Sequence, residues 1–129
     1  METVKAISTP NAPAAIGPYS QGIITNGTST VYVSGQLPID PATGNFAEGG
    51  IKAEARQNLT NIQNILKEEG LTMANVAKVT VLLANISDFA AVNEVYAEFF
   101  QEPYPARSAF AVAALPKGAN IEIEAIACK

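Results

Sequence analysis

No histidine and no tryptophan occur among the 129 residues, and cysteine occurs once, as Cys128. The missing histidine removes the commonest general base near neutral pH and the commonest zinc ligand. Ser-His-Asp and Cys-His catalysis are excluded, as is acid–base chemistry built on a histidine pair. A single cysteine leaves no intrachain disulfide and no Cys-x-x-Cys metal or redox pair, which favours a reducing compartment. Charge is scarce as well: Asp, Glu, Lys and Arg make up 16% of the chain, against ~25% in an average soluble protein. A chain with so little charge to cover its surface is expected to be a subunit of an oligomer.

Basic charge is the scarcer sign. Twelve acids against eight bases give a net charge of -4 and a pI near 4.7, so no basic field draws in a phosphate backbone and no nucleic-acid partner is expected. No apolar run approaches the ~18 residues of a membrane span, and residues 1–18 lack a basic segment followed by an apolar core. The expectation is a cytoplasmic protein without membrane attachment. On that expectation the Asn-x-Ser/Thr triplets beginning at Asn26, Asn58 and Asn85 are chance matches, since glycosylation needs a secretory route.

What is present is apolar: 48% of the chain is hydrophobic, enough for one domain over residues 1–129 that buries roughly two thirds of its unfolded surface. Val4 to Ser8 predicts a short strand, ended by Pro10 and Pro13. Tyr19 to Thr25 and Thr30 to Ser34 are β-branched and aromatic, and with Asn26-Gly27-Thr28-Ser29 between them they read as a hairpin. The prolines and glycines of Leu37 to Gly50 predict a loop. In Ile51 to Glu69 the residues Ala55, Leu59, Ile62 and Leu66 recur at helical spacing, with Gly70 as the terminator. Val76 to Ala84 predicts a buried strand, and Phe89, Val92, Tyr96 and Phe99 a second helix capped by Ser87 or Asp88. Two further strands, Arg107 to Ala114 and Ile121 to Cys128, close an α+β arrangement with a mixed sheet and both helices on one face.

Read as a hairpin of symmetric register, the last two strands place Arg107, Ala109, Ala111 and Ala113 on one sheet face with Glu122 and Glu124, while Phe110 meets the helices. Such a face suits a subunit interface containing a polar cavity. Arg107 is one of two arginines, and the other thirteen residues from Pro103 to Pro116 are uncharged. Its planar fork matches a carboxylate through two parallel hydrogen bonds, so a small carboxylate ligand is one reading. The alternative is a structural pair with Glu122 or Glu124 across an interface. In the same structural vein, Tyr19 is a strand aromatic, Ser34 a turn residue, Asn93 an exposed helix residue, Tyr96 and Phe99 core, and Cys128 a filler.

Gly17-Pro18-Tyr19-Ser20-Gln21, Val33-Ser34-Gly35-Gln36-Leu37-Pro38, Asp88-Phe89 with Val92-Asn93, and Pro105-Ala106-Arg107-Ser108 continuing to Leu115-Pro116 and Ile121-Glu122-Ile123-Glu124-Ala125 resemble the RidA family, also called YjgF. The similarity runs from about Ile7 onward. The resemblance implies a chorismate-mutase-like fold assembled as a homotrimeric barrel with sites between subunits. It implies hydrolysis of reactive enamines and imines, 2-aminoacrylate and 2-aminocrotonate tautomers, to 2-oxo acids and ammonia, with no metal and no organic cofactor. By the same resemblance Arg107 clamps the substrate carboxylate and Glu122 orients or activates the attacking water. Tyr19, Ser34, Gly35 and Asn93 line the cleft. Where many members carry cysteine two residues after the arginine this chain has Ala109, which keeps the backbone carbonyl for substrate and removes a thiol. Two other functions attach to the same features: a noncatalytic 2-oxo acid-binding regulator, and an endoribonuclease or translation inhibitor, the latter disfavoured by the acidic, histidine-free composition.

Overall fold

A computed structural model of the chain describes residues 3–129. The apolar stripe Ala55, Leu59, Ile62 and Leu66 lies on one side of helix α1 (Ile51–Lys67), and none of the four is more than 1% exposed. Each large side chain buried this way contributes ~1.5–3 kcal/mol relative to exposure. Gly70, at φ 69°, turns the chain out of the helix, and the Leu71 N–H donates back to the Leu66 carbonyl at 3.0 Å. Only glycine takes that conformation without strain.

Strand β1 (Val4–Ile7) pairs antiparallel with β2 (Gly22–Thr25). The main sheet holds β3 (Thr30–Gln36), β6 (Val76–Leu83), β7 (Ala106–Ala111) and β8 (Ile121–Cys128) in the order β3-β8-β6-β7. Between β3 and α1, where the sequence predicts loop, Ile39–Asp40 (β4) and Asn45–Phe46 (β5) form a two-residue ladder. Helix α2 (Phe89–Phe99) follows β6 through a 3₁₀ turn, Ile86–Asp88, in which the Asn85 side chain accepts from the Ser87 N–H at 3.0 Å. Asp88 holds the N-cap position of α2, one of the two residues the sequence offers, but makes no capping side-chain bond; the side-chain cap is that of Asn85 on the 3₁₀ turn before it. Val92, Val95 and Tyr96 of α2 join the α1 stripe over Val79, Val81, Leu83, Ile121 and Ile123 of the sheet. Both helices therefore cover one face of a mixed α+β sheet.

Two predicted hairpins do not form. Strand β2 pairs with β1 rather than β3, and β3 pairs with the C-terminal β8, Thr30 opposite Cys128 and Val33 opposite Ala125. The Asn26–Ser29 turn hands the chain from one sheet to the other: the Thr28 and Ser29 amides donate to the Lys129 carbonyl at 2.8 and 3.0 Å. Gly27 is required there, since a Cβ on it would lie 2.2 Å from the Cys128 sulfur.

Strands β7 and β8 are not neighbours either. Strand β6 runs between them, parallel to β7 and antiparallel to β8. A parallel neighbour needs a crossover, which α2 supplies. This topology overturns the expected register. Arg107 lies opposite Val79, on the face the helices cover, whereas Glu122 lies opposite Leu82, on the other. Arg107 and Ala109 therefore share no face with Glu122 and Glu124, and Phe110, expected against the helices, is 47% exposed on the open face. Tyr32, 76% exposed, stands on that face too.

Candidate functional site

Arg107 enters the helix layer near the start of β7, where α2 presents Phe89, Asn93 and Tyr96 at successive helical turns. The guanidinium carbon stands 4.7 Å from the Tyr96 ring centre, 5.4 Å from Phe89 and 5.5 Å from Tyr19. Each ring at that distance attracts the cation by ~0.5–2 kcal/mol, more where water is excluded. Nη1 donates to Asn93 Oδ1 at 2.6 Å. No carboxylate forms an ion pair with Arg107 among the described residues. Burial lowers the Arg107 pKa, an effect opposed by electrostatic contact with Tyr96 and Tyr19. An arginine keeps its charge regardless. A half-buried cation with one polar partner and spare donors suits an anion from outside the chain.

Tyr19 reaches this place through backbone geometry. The Tyr19 N–H donates to the Gly17 carbonyl at 2.8 Å and the Ser20 N–H to the Pro105 carbonyl at 3.1 Å, tying the segment alongside the start of β7. The Ser20 hydroxyl adds a bond to the Tyr104 carbonyl. The Gln21 side chain, accepting from the Thr9 amide at 2.6 Å and donating to the Pro13 carbonyl at 2.7 Å, gathers the proline-rich segment that precedes it.

A second group of candidates lies on the open face. Strand β3 bulges between Val33 and Gln36, where Gly35 meets the Glu122 carboxylate so closely that a Cβ there would sit 1.9 Å from Oε2. Ser34 lines a shallow depression of about 210 Å³ beside Tyr32, Glu124 and Ile126. Helix α1 holds the bulge from below: with its amide turned so that the nitrogen faces these acceptors, the fully buried Asn58 donates to the Gln36 and Leu37 carbonyls at 3.0 and 2.8 Å. Asn61 Nδ2 donates to the Ile39 carbonyl at 2.9 Å.

Of the seven residues singled out from sequence, one chain brings Tyr19, Asn93 and Arg107 together, with Ala109 two positions along the same strand face. Ser34, Gly35 and Glu122 gather on the opposite side. Phe89 and Tyr96 belong with Arg107, although sequence reasoning assigned Tyr96 only to the core and Phe89 only to the helix stripe. The spacing of 89, 93 and 96 by four and three was the available signal. A concavity of about 900 Å³ along the N-terminal segment meets these residues only at Tyr19. Among the described residues no three His, Cys, Asp or Glu side chains are grouped to hold a metal ion.

A family model described as endoribonuclease L-PSP matches residues 9–129. The chain belongs to this family, the RidA/YjgF family. A relative from Capra hircus named 2-iminobutanoate/2-iminopropanoate deaminase is 58% identical over 123 residues, 95% of this chain and 88% of that protein. The crystal structure of RidA from the Antarctic bacterium Psychrobacter sp. PAMC 21119 superimposes with a TM-score of 0.75 at 47% identity, covering 97% of this chain and 99% of that one. The structure of E. coli TdcF with bound serine matches with a TM-score of 0.73 at 43% identity, over 97% of this chain and 98% of that one. RidA-family membership thus rests on nearly the whole chain.

Proposed function

We propose that this RidA-family chain is a 2-iminobutanoate/2-iminopropanoate deaminase, hydrolysing the imine, or the enamine after tautomerisation, to a 2-oxo acid and ammonia. The observation that carries the reading is the Arg107 guanidinium, partly desolvated, ringed by aromatics and without an acidic partner among the described residues. The name of the 58% identical relative supports the same substrate class.

In this reading Arg107 grips the substrate carboxylate, with Asn93 fixing one side of the fork and Tyr19 and Ala109 bordering the bound molecule. Water adds to the C=N carbon and gives a proton to a carboxylate, which returns it to the nitrogen; in the resulting carbinolamine the same carboxylate carries the hydroxyl proton to the amino group, so the C–N bond breaks, ammonia leaves and the C=O forms. An iminium carbon is already electrophilic, so placing the water contributes more than a strong base would. Glu122 is the carboxylate, with Ser34 and Gly35 beside it. Since Arg107 and Glu122 lie on opposite faces of one chain's sheet, they meet only if a neighbouring subunit supplies Glu122. The exposed Tyr32 and Phe110 on the open face support such packing, and a homotrimer closes it. The function needs no metal, organic cofactor or nucleic acid, and the place of action is the cytoplasm. No helix among the described residues is long and apolar enough to cross a membrane.

Losing a buried charge-assisted contact costs ~2–5 kcal/mol, about 30- to 5,000-fold in rate. Arg107→Ala is expected to lose that much, and Arg107→Lys to recover little, because one ammonium cannot reproduce the fork. The assay generates the imine in place with a dehydratase and follows 2-oxo acid or ammonia release. Wild-type turnover in either variant overturns the clamp. Binding of 2-oxobutanoate without faster imine hydrolysis would instead favour a regulatory role, and Arg107-dependent cleavage of a stable RNA the endoribonuclease role.

A further inference from the structure

Tyr96 is wholly buried, and its hydroxyl is the side-chain polar atom among the described residues that is buried without a hydrogen-bond partner. A buried hydroxyl left unbonded is a cost to the fold, and a hydroxyl with no partner cannot be what orients the ring. The orientation comes from the two faces. Phe100 packs with its ring centre 4.5 Å away at 31°. The Arg107 guanidinium carbon lies 4.7 Å from the ring centre, nearer than to Tyr19 or Phe89. Among the described residues Arg107 makes one side-chain hydrogen bond, to Asn93, at one corner of a planar group with five N–H donors. The rest of the plane is held by the rings around it, of which Tyr96 is the nearest.

We infer that Tyr96 is a positioning residue for Arg107: its ring, backed by Phe100, sets the depth and tilt of the guanidinium so that the free edge of the fork faces the ligand carboxylate. The ring face does this and the hydroxyl does not. The inference rests on the carboxylate-clamp reading of Arg107 and extends it to a residue that touches no substrate. It also separates ring from core filling, because an aliphatic side chain of similar size fills space but offers a cation no π face.

The test compares Tyr96→Phe with Tyr96→Leu, and with Tyr96→Met where the leucine variant does not fold, each first checked for a cooperative melt. Three readouts are taken: 2-oxobutanoate binding by calorimetry, KM and kcat on the imine, and the NMR signals of the Arg107 guanidinium. Tyr96→Phe is expected to stay within about twofold of wild type in binding and KM, with a higher melting temperature, since it keeps the face and removes the unbonded hydroxyl. The aliphatic variants are expected to weaken binding and raise KM about tenfold while kcat changes less than about threefold. In wild type and Tyr96→Phe the Arg107 N–H protons should show upfield ring-current shifts that shrink in the aliphatic variants to what Tyr19 and Phe89 still produce. Unchanged binding in an aliphatic variant, equal loss in Tyr96→Phe, or no ring-current shift in wild type overturns the inference. Binding and NMR do not require turnover, so failure of the hydrolase reading appears separately, as a wild type that binds 2-oxobutanoate and leaves imines intact.

Discussion

Burial holds the Tyr96 phenol well above its ordinary value of 10.0, despite the opposing charge of Arg107. The consequence at high pH has a definite sign. Above pH 10 the unfolded chain releases this proton while the native state keeps it, so the native state binds more protons and stability falls as pH rises. Tyr96→Phe lacks the group. Its stability advantage over wild type should therefore widen by up to about 1.4 kcal/mol per pH unit above pH 10 and stay level between pH 7 and 9. Denaturant melts at pH 8, 10 and 11 measure it, and a constant difference across that range counts against the burial. The residue was recognisable in the sequence as part of the stripe Phe89, Val92, Tyr96 and Phe99. Its place beneath Arg107 was not, because the arginine arrives from a strand whose pairing the stripe does not encode.

Helix α1 contributes more than a hydrophobic face. Its stripe Ala55, Leu59, Ile62 and Leu66 was plain from spacing alone, and all four are buried as that spacing requires. Asn58 is equally buried, although nothing in the periodicity singles out a polar residue there. Its amide answers the backbone carbonyls of Gln36 and Leu37, just past the bulge at Gly35. Asn58→Ala should cost ~1–3 kcal/mol by stranding those acceptors, with a loss of activity that exceeds the loss of folded protein, since the bulge carries Gly35 against Glu122. Chemical denaturation and turnover per folded molecule separate the two effects. An activity that only tracks the folded fraction would mean the bulge holds its shape unaided. Strands β7 and β8 show the opposite case at the same scale. Their alternation was legible, yet β6 runs between them, because a period of two says which residues share a face and nothing about which strand lies alongside.

At the scale of the whole molecule the division of the candidate residues is decisive. Tyr19, Asn93 and Arg107 gather under α2, and Gly35 and Glu122 gather on the uncovered side of the same sheet. If neighbouring chains complete the site, Arg107→Ala and Glu122→Ala chains are each inactive alone, and mixed oligomers recover part of the activity by pairing an intact Arg107 with an intact Glu122. Co-refolding the two variants, with subunit exchange verified by mass spectrometry, makes the measurement. No recovery in verified mixed oligomers, or a monomer in sedimentation, removes the intersubunit site.

The sequence by itself determined the helices, the α+β class and the chemistry that is out of reach, because these follow from local spacing and from residues that are simply missing. It also carried the family in the blocks around Tyr19, Ser34, Asn93, Arg107 and Glu122. Only the tertiary structure decided which strands pair, and hence that Arg107 and Glu122 look in opposite directions. Strand pairing joins segments far apart in the chain, and a crossover through α2 that sets β7 beside β6 leaves no periodic mark in either strand. The scarce charge follows from both. Composition predicted a surface meant to be covered, and the topology put Tyr32, Phe110 and Ile126 on the face that the helices leave open.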